Sequence, residues 1–280
     1  MISNRQPARM RALGMELAAA RVFAGKTTRQ AAAGIGSSPA TVNRSEKANR
    51  VSPVTDIAGL LALYGVTGEA RDRILELAEN LDARLWVEPR SEVHRMFLAL
   101  KAFESKARTL MHFAPGTVPG LLQTPAYARA LHVVAGFSGA ELDSLVEARI
   151  DRQRVFTKLA APHYTAIIDE AVVRRPYGGA EVMVQQIHWL IGRAEQPNID
   201  IHVIPFRHGG YANPGPFLAL GFADYPPLVF VENCGISSFL DATEDTGVFQ
   251  EAAARLMRFA LGSADSVNLL SRIAADYERS

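Results

Sequence analysis

Ser38, Ala40, Thr41, Arg44 and Lys47 share the outward side of one short helix-like segment. Their types suit base edges in a DNA major groove. Arg44 can donate two hydrogen bonds to guanine, worth on the order of 1–3 kcal/mol of discrimination, and Ala40 or Thr41 can meet a thymine methyl. Around them stand groups suited to phosphate, which set register without reading sequence. The full candidate set is Lys26, Thr27, Arg29, Gln30, Ser37, Ser38, Ala40, Thr41, Asn43, Arg44 and Lys47. The alternative is a structural helix pair whose cations are merely solvated.

The elements that must hold these residues are two short helices and a tight turn. Thr27 with Gln30 fits a capping box at the start of the first. Gly36 supplies a corner where positive φ is tolerated. Ser38-Pro39 is a second start, with an N-cap hydroxyl followed by proline at the first helical position. Ala32, Gly36 and Val42 have the spacing of a helix-turn-helix: small residue, corner, apolar anchor. Such a pair lays its second helix in the major groove. Ser45 stands where these bundles usually bury an apolar residue, and Ala48 where glycine commonly ends the second helix.

Charge is distributed to match. The 280-residue chain has a formal net charge of only +1. Residues 1–50 nevertheless hold nine basic and two acidic side chains, a balance of +7, and the remainder carries −6. A basic head on an acidic body is the footprint of a DNA-binding segment with a companion domain. One cysteine, Cys234, leaves no internal disulfide and no cysteine-based zinc cluster. Beside Val-Phe-Val it reads as a buried thiol. No apolar run has the length of a membrane span, and no signal-peptide core opens the chain, so a cytoplasmic protein without a membrane partner is expected.

Periodicity predicts five helices in residues 1–84. The first, from Arg9 to Ala24, has Leu13 and Leu17 inward and Arg9, Arg11 and Arg21 on its wetter side. Ser52-Pro53 starts the fourth, with Ile57, Leu60, Leu61 and Tyr64 on one face. Thr67 caps the fifth, with Ile74, Leu77, Ala78 and Leu81 inward. Leu85 to Pro89 reads as a linker, with Trp86 anchoring the next domain, residues 85–280. There a long helix is expected from Ser91 to Met111, then a Pro/Gly-rich loop, a helix from Thr124, and another capped by Ser138 with Glu141. Strands follow at 163–169, 199–204, 217–222, 228–232 and 237–240, and two helices close the chain. The fold class expected is α+β: a helix-turn-helix bundle, then helices with a mostly antiparallel sheet.

No catalytic constellation assembles. The seven histidines lack metal-ligand spacing, and His208-Gly209-Gly210 has no Gly-x-Ser-x-Gly partner motif. Asp169-Glu170 at a strand end fits an acid/base pair less well than a helix cap or an ion pair with Arg174 or Arg175. No cofactor and no metal are expected.

Several motifs together resemble one family. They are Val118-Pro-Gly-Leu-Leu-Gln-Thr124 with Tyr127-Ala-Arg-Ala-Leu131, Arg149-x-x-Arg-Gln153, Ile168-Asp-Glu-Ala-Val-Val-Arg-Arg-Pro176, Val203-Ile-Pro-Phe206 and Gly215-Pro-Phe217. The chain resembles the Xre-type helix-turn-helix regulators of actinobacteria with a large C-terminal domain of poorly defined function (WhiJ-like, antitoxin-like). The resemblance implies a transcriptional regulator that binds double-stranded DNA as a homodimer. It implies a C-terminal domain receiving a signal from a small-molecule effector or a small protein partner encoded nearby. The alternatives are an antitoxin-like module that sequesters such a partner, and a repurposed enzyme using a C-terminal pocket.

Overall fold

A computed structural model describes residues 6–79, 81, 86–89, 93–233 and 236–279. In chain order they form α1 (Ala8–Phe23), α2 (Thr28–Gly34), α3 (Pro39–Glu46), α4 (Val54–Leu63), α5 (Gly68–Leu77), β1 (Trp86–Pro89), α6 (Val93–Lys106) and β2 (Thr109–Ala114). Then come α7 (Pro125–Val134), α8 (Gly139–Arg152), β3 (His163–Asp169), α9 (Glu170–Arg174), α10 (Ala180–Ala194) and β4 (Ile199–Ile204). Last are β5 (Phe217–Gly221), β6 (Leu228–Asn233), β7 (Ile236–Leu240), α11 (Thr243–Phe259) and α12 (Ser263–Glu278). The class is α+β, a helical N-terminal region followed by helices with strands of mixed direction, mostly antiparallel. Two compact units share the chain: Met1–Phe103 with Asp224–Asp245, and Glu104–Ala223 with Thr246–Ser280.

In the first unit, α1 to α5 bury the expected apolar faces: Leu13 and Leu17 from α1, Ile57, Leu60 and Leu61 from α4, Ile74 and Leu77 from α5. Burying each such side chain contributes roughly 1.5–3 kcal/mol. Arg73 closes the bundle with two bonds to Glu16, at 2.6 and 3.2 Å. α4 begins without the expected Ser52 cap, because the Ser52 hydroxyl turns inward to Ser45 at 2.5 Å. Thr67 precedes α5 without a side-chain cap.

Arg11 departs most from expectation. Expected on the wet side of α1, it is 1% exposed. Its guanidinium lies over the rings of Tyr225 and Phe103, at 5.0 and 5.5 Å, and Nη1 donates to the Pro226 carbonyl at 2.9 Å. Burial pushes it down to about 10, which leaves it charged at neutral pH. Nearby, Asp241 accepts from the Ala8 amide at 2.6 Å and serves as the N-terminal cap of α1 from 233 residues away. The expected linker is a strand instead: β1 pairs antiparallel with β7, and Trp86 packs on Phe239 with ring centroids 5.3 Å apart. Cys234 and residues 82–85, including the expected domain boundary, lie outside the described residues.

In the second unit, β2 pairs antiparallel with β5 and parallel with β3, which pairs parallel with β4. The long helix expected to Met111 ends at Lys106, and its last part is β2. Ser138 starts α8 without a side-chain cap. The Pro/Gly-rich loop is pinned from three sides. Gln153 Nε2 donates to the Gln123 carbonyl at 2.6 Å, Gln123 Nε2 to the Val118 carbonyl at 2.8 Å, and Gln186 Nε2 to the Leu122 carbonyl at 2.8 Å. These glutamines replace the ladder bonds that loop backbone lacks. The motifs from Val118 to Gln153 therefore build a rigid corner.

Candidate nucleic-acid interface

The geometry at residues 27–49 follows from its caps. Thr27 Oγ1 accepts from the Gln30 amide at 3.2 Å while Gln30 Oε1 accepts from the Thr27 amide at 2.9 Å, so the capping box forms. The chain turns away from α2 at Gly36, with φ +63°, where Ser37 N–H reaches the Ala32 carbonyl at 2.8 Å and Gly36 N–H the Ala33 carbonyl at 3.3 Å. This paired closure is the Schellman arrangement. Ser38 Oγ then accepts from the Thr41 amide at 3.1 Å and Pro39 opens α3.

α3 ends by the same device. Asn49 N–H reaches the Arg44 carbonyl at 2.8 Å and Ala48 N–H the Ser45 carbonyl at 3.1 Å. Here the left-handed position is held by Ala48 at φ +53°, the only non-glycine residue with positive φ among the described residues. Glycine is the usual occupant because a Cβ there costs about 1–2 kcal/mol.

The pair is locked from inside. Val42 packs with Ala31, Ala32, Leu60 and Tyr64. Ser45 is buried, as its position requires, and its hydroxyl donates to the Thr41 carbonyl at 3.0 Å besides meeting Ser52. Arg21 of α1 binds both Glu46 oxygens, at 2.7 and 2.9 Å, and the Lys26 carbonyl at 2.9 Å. One guanidinium thus ties α1 to the loop before α2 and to the last turn of α3.

The outer face of α3 differs in part from expectation. Ala40, Asn43, Arg44 and Lys47 are exposed and, at positions i, i+3, i+4 and i+7, form one stripe. Thr41 does not join them. It is 9% exposed and its hydroxyl lies 2.9 Å from Ser38 Oγ, so it faces the bundle rather than solvent. Ser38, Arg29 and Gln30 are exposed, while Lys26 and Ser37 are half-buried beside them. Thr27 is exposed, with its hydroxyl engaged in the cap.

The basic head is also thinner than its +7 suggests. Arg11 and Arg21 are engaged internally, Arg9 donates to the Glu79 carbonyl at 3.0 Å and lies over Trp86, and Arg5 is outside the described residues. The cations left at the pair are Lys26, Arg29, Arg44, Lys47 and the half-buried Arg50, whose Nη1 is 3.5 Å from Thr41 Oγ1.

Gly14 builds the site from α1, a role its sequence position does not announce. A Cβ there would sit 2.6 Å from the Glu46 carbonyl oxygen and 2.9 Å from that of Ser45. The lone glycine inside a predicted helix was the available signal, since it costs about 1 kcal/mol against alanine unless packing requires it.

The other candidates are engaged structurally. Asp169 caps α9 through the Ala171 amide at 2.8 Å and accepts from the Tyr211 hydroxyl at 2.8 Å. Glu170 accepts from Arg174 Nε at 2.5 Å and the Phe206 amide at 2.8 Å. His202 and His208 donate to the Leu261 and Phe259 carbonyls, at 2.9 and 2.7 Å. Among the described residues no three His, Cys, Asp or Glu side chains converge as a metal site.

Two family models match different parts of the chain. A helix-turn-helix domain model matches residues 12–74. The model described as a domain of unknown function, DUF5753, matches residues 97–272, more than half the chain. The chain belongs to the DUF5753 family. The match covers the rigid corner and the α9 motif; the helix-turn-helix match covers the stripe on α3. No curated protein matches. Among solved structures, the chain aligns with TrmBL2, an archaeal chromatin protein whose structure shows a novel mode of DNA binding, at 12% identity and a TM-score of 0.32. That alignment covers 69% of this chain and 61% of the other. No helix among the described residues is long and apolar enough to cross a membrane.

Proposed function

We propose that this DUF5753 protein is a sequence-specific, DNA-binding transcriptional regulator of the Xre type, acting as a cytoplasmic homodimer. Residues 1–84 supply the DNA-binding part, and residues 85–280 sense a small molecule or a small protein partner. The observation that carries the reading is the stripe of Ala40, Asn43, Arg44 and Lys47, exposed on the second helix of a matched helix-turn-helix, with Lys26 and Arg29 beside it.

In this reading Arg44 and Asn43 meet base edges, with Ala40 against a thymine methyl, and Lys26, Arg29, Gln30, Ser38 and Lys47 meet phosphate. Thr41 acts indirectly, by holding the Ser38 cap. Two copies would place their second helices on half-sites about one helical turn apart, ~34 Å. Signal occupancy would shift the population of DNA-competent dimers.

Electrophoretic shift on DNA from the upstream region tests this. Arg44→Ala is expected to weaken the specific site by roughly 1–3 kcal/mol and leave non-specific binding nearly unchanged. Lys26→Ala is expected to weaken all DNA alike. Equal losses from both variants on all DNA would refute base reading by Arg44.

A further inference from the structure

A concavity of about 570 Å³ opens in the second unit between α9, the turn after β4 and α12. Its walls carry four guanidiniums, Arg174, Arg207, Arg272 and Arg279, and two carboxylates, Glu170 and Asp276. Both carboxylates are already engaged. Glu170 is held by Arg174 Nε and the Phe206 amide, and Asp276 by Arg279 Nη2 at 2.7 Å, with Arg174 Nη1 at 3.6 Å. Arg207 and Arg272 come from two different elements and face the same space without an acceptor from the described residues. The wall thus has a surplus of two positive charges, both on forked, planar donors. Beside them Phe206 is 57% exposed, and its amide is held by Glu170. Leu269 continues the apolar side.

We infer that this concavity binds a small organic dianion, its phosphate or dicarboxylate head held between Arg207 and Arg272 and its flat apolar body against Phe206. A guanidinium matches either head through two parallel hydrogen bonds. The volume lies within the usual range for small-molecule sites, roughly 300–1,000 Å³. A solvated arginine face would explain the charges singly. It does not explain why two unpaired forks and an exposed ring line one recess while every carboxylate there is spent. As a ligand site the recess stands alone; as the effector site it rests on the regulator reading above.

Titration calorimetry on the full chain, without DNA, tests the site. The probes are phenyl phosphate, phthalate and inorganic phosphate. Expected is saturable one-to-one binding of phenyl phosphate or phthalate, and the tighter of the two identifies the head group. Arg207→Gln and Arg272→Gln should each weaken that probe about tenfold or more, a loss typical of a charge-assisted pair. Both side chains are exposed, so folding should be retained. Phe206→Ala should weaken the aromatic probe while leaving inorganic phosphate unchanged. Arg255→Gln, an exposed arginine outside the recess, should change nothing. Absence of saturable binding by both organic dianions overturns the inference, as does an equal loss in Arg255→Gln. If the dianion binds and DNA does not, the ligand site stands and its effector role falls. If both bind but saturating dianion leaves DNA affinity unchanged, the effector role falls again.

Discussion

Gly14→Ala gives a sign test of how α3 is held. An ordinary glycine inside a helix destabilises it by roughly 0.5–1 kcal/mol relative to alanine, so the substitution should normally stabilise. Here the new methyl would meet backbone, 2.6 Å from Glu46 O, 2.9 Å from Ser45 O and 3.0 Å from Glu46 C. Backbone cannot rotate away as a side chain can, so α1 and α3 must separate by several tenths of an ångström. Overpacking of this kind costs typically 1–3 kcal/mol, and contact with carbonyls belongs at the upper end. Subtracting the helix gain leaves a net loss of about 2 kcal/mol. The same separation would strain the Arg21–Glu46 bonds at 2.7 and 2.9 Å. The chain has two tryptophans, Trp86 in the first unit and Trp189 in the second. In a Trp189→Phe background, Trp86 fluorescence during urea unfolding reports the first unit by itself. A midpoint lowered at unchanged slope is expected. A stabilised Gly14→Ala protein would refute the close packing of α3 on α1.

Ala48→Gly relieves about 1–2 kcal/mol of left-handed strain but loses a buried methyl, about 0.8 kcal/mol, and adds unfolded-chain entropy, about 0.5–1 kcal/mol. It should therefore be neutral within about 0.5 kcal/mol by the same fluorescence assay, and a loss above roughly 1.5 kcal/mol would contradict the strain. Glu46→Gln removes the charge from a pair with side chains only 16% and 8% exposed, and should cost about 2 kcal/mol in that assay. For acid stability of the second unit, burial together with Arg152 and Arg149 pushes His112 down to about 3, while in the unfolded chain it titrates near 6.5. The unfolded state then binds the extra proton, so stability present above pH ~6.5 falls as pH drops towards 3, by at most about 1.4 kcal/mol per unit. Trp189 fluorescence in a Trp86→Phe background should show this slope flattened by His112→Gln. Gln153→Leu should cost about 1–3 kcal/mol by leaving the Gln123 carbonyl without its 2.6 Å donor. Faster hydrogen exchange confined to residues 118–124 should accompany it.

What could be read from the sequence was local chemistry. The capping box at Thr27, the cap at Ser38, the positive φ at Gly36 and the inward faces of α4 and α5 depend on residues within one or two turns. Several misread features depend on distant chain, whereas the absent caps at Thr67 and Ser138 and the inward turn of Thr41 are local. Arg11 looks like a solvent-side cation on the helix wheel, and distant Phe103, Tyr225 and Pro226 convert it into a buried one. β2 continues the apolar spacing of α6 with no proline or glycine between them, so period alone extends the helix. The alternation at Thr109-Leu-Met-His-Phe becomes meaningful once β3 and β5 flank it. A helix wheel turns Thr41 outward and cannot show Ser38 and Arg50 meeting its hydroxyl. The recess at Arg207 and Arg272 joins segments more than sixty residues apart and has no local signature.

If α3 reads DNA, fluorescence anisotropy across a salt series will show it. With DNA from the upstream region, log K should fall linearly with log salt, with slope about −0.9 per phosphate neutralised. Lys47→Ala should reduce that slope by about one, and Arg44→Ala should cut the preference for the specific site by roughly 1–3 kcal/mol. No salt-sensitive binding at low ionic strength, or specific binding that survives Arg44→Ala intact, would contradict the account.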